Sequence, residues 1–77
     1  MAELYIDLRR EGTQDLASVR AGIEQLIYPD DTLNVIISRL DMERADPIAE
    51  LMREAGLDVQ TRGGQDEEFI IRGYYRH

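Results

Sequence analysis

The sequence predicts an α/β (α+β) two-layer sandwich, a four-stranded mixed sheet with two helices on one face. Three observations carry this. Apolar and polar residues alternate with period two at Leu4 to Leu8 and Leu57 to Arg62, and Thr32 to Leu40 and Glu67 to Tyr74 are short runs centred on large apolar, β-favouring residues, the patterns of strands. Two apolar stripes at three- and four-residue spacing separate the first three of these runs, the spacing of helices. The last two runs are joined only by Gly63-Gly64-Gln65-Asp66, a hairpin turn. The order is therefore β-α-β-α-β-β.

The elements follow in order. Leu4, Ile6 and Leu8 alternate with Tyr5 and Asp7 in the first strand, which Gly12-Thr13 ends. Thr13 has the side chain of an N-cap, and Asp15 in the first turn suits the helix dipole. Leu16, Val19, Ile23, Leu26 and Ile27 form one stripe of a helix from about residue 14 to 28. Gly22 lies inside it at a cost of about 1 kcal/mol relative to alanine, for which a close approach of helix to sheet and chance are nearly equal explanations. Tyr28-Pro29-Asp30-Asp31 is a turn, and Thr32 to Leu40 is the most strand-like run in the chain. Residues 41–45 form an irregular turn. Asp46-Pro47 reads as an N-cap followed by proline at the first helical position. Ile48, Leu51, Met52 and Ala55 give the second stripe, and Gly56 stops it. Leu57, Val59 and Thr61 form the inward side of the third strand, and Phe69-Ile70-Ile71 centres the fourth, with residues 75–77 as a tail.

Strands joined by crossover helices are parallel, and strands joined by a short hairpin are antiparallel. The fourth strand carries three consecutive large apolar residues, whereas the third carries Asp58, Gln60 and Arg62 on one side. The more apolar strand belongs at the centre. The predicted sheet order is 1-2-4-3, with strand 4 antiparallel to the others and both helices covering one face.

Composition bounds the function. The chain has 77 residues, 43% hydrophobic and 32% charged, the mixture of one globular domain over residues 1–77. With no cysteine, disulfides, thiolate nucleophiles, persulfide carriage and cysteine metal sites are excluded. All 9 basic residues are arginine, which excludes a phosphate-loop or Schiff-base lysine. The net charge of -7 disfavours nucleic acid and anionic membranes. No run approaches the roughly 20 apolar residues of a membrane span, and Met1 to Arg10 lacks the apolar core of a signal peptide. These features set the expectation of a cytoplasmic protein with no cofactor, no metal and no catalytic residues.

Four segments, in order, resemble a known family. Ile6-Asp7-Leu8-Arg9 resembles an L-D-x-R opening strand, and Pro29-Asp30-Asp31-Thr32-Leu33 resembles a P-G-[DE]-x-L approach to strand two. Ala55-Gly56-Leu57 resembles an A-G-[FHL] approach to strand three, and Phe69-Ile70-Ile71-Arg72 an F-x-I-[RK] closing strand. Together they are similar to the TusA/SirA-like sulfur carriers, whose fold is the one derived above. The chain departs from that family at its defining motif. Where C-P-x-P opens the family's first helix and its cysteine carries persulfide, this chain has Gly12-Thr13-Gln14-Asp15-Leu16. A hydroxyl there holds no transferable sulfur. The resemblance therefore implies a divergent, cysteine-free member unable to act as a relay. After strand two the family's Asp-Pro-Ala-like turn is replaced by Leu40-Asp41-Met42-Glu43-Arg44.

Two candidate sites remain. Period two places Tyr5, Ile36, Ile70 and Tyr74 on the open sheet face, among Asp7, Arg9, Gln60 and Arg72, as a candidate protein-binding or self-association surface. Gly12, Thr13 and Gln14 are a candidate helix N-terminus site for an anion or a partner carboxylate, set against Thr13 as a simple N-cap. Asp30-Asp31 reads as a solvated turn rather than a cation site, and Arg44 with Glu50, Arg53 and Glu54 as the exposed side of helix two. His77, a lone terminal imidazole, is a poor ligand or base. The expected function is a non-catalytic binding or adaptor domain with a protein partner, as homodimer or monomer. An accessory role in a sulfur relay and small-molecule binding are the alternatives.

Overall fold

The computed structural model describes residues 2–9, 16–26, 28–63 and 67–75. Along these run β1 (Glu3–Asp7), α1 (Leu16–Glu24), β2 (Thr32–Ser38), a 3₁₀ segment (Arg39–Arg44), α2 (Ala45–Glu54), β3 (Leu57–Gly63) and β4 (Glu68–Tyr75). The sheet order is β1-β2-β4-β3, with β1 parallel to β2 and β4 antiparallel to both β2 and β3. This is the predicted α+β architecture.

The register explains the two layers. Leu33 pairs with Leu4 and Gly73, Val35 with Ile6 and Ile71, and Ile37 with Phe69. Leu33, Val35, Ile37 and Ile71 are fully buried beneath the helices, along with Val19 of α1 and Ile48 and Met52 of α2. Burial of each large aliphatic side chain is worth about 1.5–3 kcal/mol, so this layer supplies most of the driving force in a chain this small.

Two glycines set the helix-to-sheet spacing. A Cβ on Gly22 of α1 would lie 2.6 Å from Ile6 Cδ1 and 3.1 Å from Leu33 Cδ1. The helix thus rests directly on the β1–β2 side of the sheet, the first of the two explanations for this glycine. A Cβ on Gly73 of β4 would lie 2.8 Å from Met52 Sδ and 3.1 Å from Leu57 Cδ1. The gap in β4 is the seat for Met52.

Element ends differ from expectation in several places. α1 stops at Glu24, short of residue 28: Gln25 N–H donates to Gly22 O and Leu26 N–H to Ile23 O at 3.1 and 3.0 Å, the tightening that ends a helix. Leu26 then turns into the core, and its carbonyl accepts the Tyr75 hydroxyl at 3.3 Å. Tyr75, expected in a tail, is therefore the last residue of β4. β2 ends at Ser38 rather than Leu40, because Ser38 Oγ accepts the Leu40 N–H at 3.2 Å and starts the 3₁₀ segment. That segment runs straight into α2, so the helix begins at Ala45 and Asp46 is not its N-cap. Arg44 occupies the cap position without a side-chain bond. Asp46 and Pro47 sit in the first turn, where a negative charge suits the dipole and a missing N–H costs nothing. Glu67 precedes β4 with φ +62° and accepts the Arg39 N–H through its carbonyl.

Candidate functional site

The open face of the sheet carries the first candidate surface. Across it run Glu3–Thr32–Tyr74–Asp58, then Tyr5–Asn34–Arg72–Gln60, then Asp7–Ile36–Ile70–Arg62. All four predicted residues lie on this face. Ile36 and Ile70 are direct cross-strand partners and half-buried. Tyr5 sits diagonally from Ile36 and is 65% exposed. Tyr74 is half-buried and stands apart, beyond Arg72 along β4. The patch is thus an isoleucine pair with a tyrosine beside it, and a second tyrosine across a polar row.

Two arginines span the face and frame that pair. Arg72 of β4 reaches Glu3 of β1 with Nη2 3.3 Å from Oε1. Its path crosses β2, where Thr32 and Asn34 are only 6% and 4% exposed although they belong to the open side. The buried Asn34 amide donates to Leu4 O at 3.3 Å. Arg9, just past β1, donates through Nε and Nη2 to the two Asp7 carboxylate oxygens at 2.9 and 2.8 Å and through Nη1 to Glu68 Oε1 at 2.8 Å. This fork-shaped pairing bridges β1 to β4 beyond the isoleucines. The hydrogen bond to Asp7 holds the Arg9 guanidinium above its usual pKa; desolvation opposes this, and the charges of Asp7 and Glu68 add to it.

Beside this frame the face is concave. An open groove of about 410 Å³ lies between residues 29–32 and the side chains of Gln60, Arg72 and Tyr74. A second hollow of about 290 Å³ shares Gln60 and Arg72 and laps onto Thr61 and Arg62 at the β3 edge.

Asp31 corrects the sequence reading. It was expected in a solvated turn, yet it is 3% exposed. Its Oδ1 accepts the Ala2 N–H and its Oδ2 the Tyr28 N–H, both at 3.0 Å. The carboxylate ties the start of β1 to the loop entering β2, so its role is structural.

Arg44 also departs from expectation. It lies ahead of α2 rather than on the exposed side of it, and its Nη1 is buried without a hydrogen bond. It borders a cavity of about 190 Å³ with Leu16, Glu43, Pro47 and Ile48. No sequence signal marks this, because Arg44 follows a 3₁₀ segment whose path composition does not fix. The second candidate site, Gly12, Thr13 and Gln14, lies outside the described residues, as does His77.

Among the described residues no three histidine or carboxylate side chains converge as a metal site. No helix among them is long and apolar enough to cross a membrane. No protein-family model, curated protein or solved structure matches the chain.

Proposed function

We propose that this chain is a non-catalytic binding domain that recognises a protein partner through its open sheet face. The observation that carries this reading is the Ile36–Ile70 pair, set on the face that neither described helix covers and framed by the Arg9 and Arg72 bridges. An apolar centre within a charged rim is the anatomy of protein interfaces. Tyr5, exposed beside the pair, is an aromatic of the kind enriched at binding hot spots. The order of motifs similar to the TusA/SirA-like carriers supports a second element of the proposal. The domain is a divergent relative of those carriers in which binding has outlived sulfur transfer.

The test is retention of a partner from extracts of the source organism on C-terminally tagged protein, comparing wild type with Ile36→Arg. Asp7 lies opposite residue 36 on β1 but is held by Arg9, so circular dichroism of the variant is run alongside to show that its fold is kept. Loss of the retained protein in the variant supports the proposal, and equal retention refutes it. Recovery of a sulfur-transfer protein identifies an accessory role in that relay.

The groove of about 410 Å³ beside Arg72 favours one second reading, a small ligand held on the same face. Its size falls within the range of ligand sites. Chemical-shift changes confined to Gln60, Arg72 and Tyr74 on addition of small anionic metabolites separate this reading from the first.

A further inference from the structure

The sheet has two edges, β1 and β3, and they differ in what a second copy would meet there. β3 runs unbroken from Leu57 to Gly63, pairs with β4 on one side, and is exposed from Gln60 onward. It contains no proline, and its regular register shows no bulge, so of the usual devices that blunt a strand edge it carries only the charged side chains Asp58 and Arg62.

Its sequence is self-complementary. If two copies of β3 meet antiparallel about a two-fold axis at Gln60, Asp58 of each faces Arg62 of the other. Val59 faces Thr61, and Gln60 faces Gln60. Asp58, Gln60 and Arg62 belong to the open face, and Val59 and Thr61 to the helix face, so both layers continue across the junction. The central position aligns two amides that pair with each other. The flanking positions hold two opposite-charge pairs, and Val59 meets Thr61 as the β-branched pairs favoured in strands. Moving the register by two residues in either direction separates both charge pairs. The β1 edge does the opposite: the same operation about Tyr5 sets Glu3 against Asp7 twice, acid on acid. Joining β1 to β3 would be head-to-tail and would not close.

We infer that β3 is the self-association edge of this protein, pairing with β3 of a second copy in the register Asp58–Arg62 to form a continuous eight-stranded sheet. The hollow on Gln60, Thr61, Arg62 and Arg72 lies at this edge, so pairing sets two copies of the open face side by side as one bivalent surface. This inference does not depend on what that face binds.

The test is solution mass by light scattering and sedimentation from micromolar concentrations to about 1 mM, the affinity range expected of a small interface. The chain mass is 8.9 kDa. Wild type is expected to approach twice that mass as concentration rises, and more weakly at high salt. Asp58→Arg and Arg62→Asp each place like charges opposite one another twice, and each is expected to weaken self-association by about tenfold or more. An equimolar mixture of the two variants restores both opposite-charge pairs, so the mixture is expected to form a heterodimer. That recovery also shows that the separate variants are folded. A wild type that stays monomeric throughout overturns the inference. So does a dimer that Arg62→Asp leaves intact, or a pair of variants that fail to associate when mixed.

Discussion

Arg72 of β4 and Glu3 of β1 meet across the strand between them, 3.3 Å apart, and Asn34 of β2 lies buried beneath the bridge. The open face is therefore a surface with its own second tier, in which a charged side chain roofs a polar one. Both members of the pair are 37% exposed at the side chain, so the charge interaction contributes little, about 0–1 kcal/mol. Arg72 is the direct cross-strand partner of Asn34, so its apolar stem is placed to cover that amide.

Arg72→Ala removes stem and charge together and uncovers Asn34. A loss of about 1 kcal/mol is expected in urea unfolding, with Glu3→Gln costing less. Equal losses for the two variants would mean that the ion pair, not the covering stem, does the stabilising.

Asp31→Ala leaves the Ala2 and Tyr28 N–H groups without their acceptor. The expected cost is about 1–3 kcal/mol, the penalty for unpaired polar groups. Alanine at the exposed neighbour Asp30 is expected to cost less. A reversed order would return Asp31 to the solvated turn that its sequence context suggested.

Gly73→Val drives a branched side chain into the seat of Met52, which is fully buried. Overpacking of this kind costs about 1–3 kcal/mol. Combining it with Met52→Ala is expected to cost less than the sum of the two single changes, because each relieves the other. Strict additivity would show that the two residues do not share the space.

Arg44→Met keeps the length of the side chain and removes a buried donor that makes no hydrogen bond. Stability is expected to hold or rise, since an apolar replacement of a poorly satisfied polar group is often neutral or better. A fall of more than about 1 kcal/mol would reveal a role for the guanidinium.

The sheet was legible in the sequence because its pattern is redundant. Period-two runs fixed the faces, the hairpin fixed the direction of β4, and Phe69-Ile70-Ile71 placed β4 inside. Gly56 was legible as a helix stop and has the positive φ such a stop uses, whereas for Gly22 the sequence left close approach and chance open and the contact with Ile6 and Leu33 decides it. Other features depend on contacts between residues far apart in the chain. Arg72 meets Glu3 across β2, the Tyr75 hydroxyl donates to Leu26 O, and Asp31 accepts the Ala2 N–H. Local pattern gives no information on such pairs. The start of α2 was misplaced by a different cause: Asp46-Pro47 has the chemistry of a cap, but the preceding 3₁₀ segment had already brought the chain into helical geometry. The open-face residues were placed by period alone. Period two also puts Arg72 between Ile70 and Tyr74; that it reaches across β2 to Glu3 emerges only from the structure.

The most direct test of the open face as a binding surface is quantitative capture from extracts of the source organism, with wild type and Ile36→Arg run side by side and their folds matched by circular dichroism. The account predicts a protein retained by wild type and lost from the variant at unchanged fold. The same protein retained equally by both would contradict it.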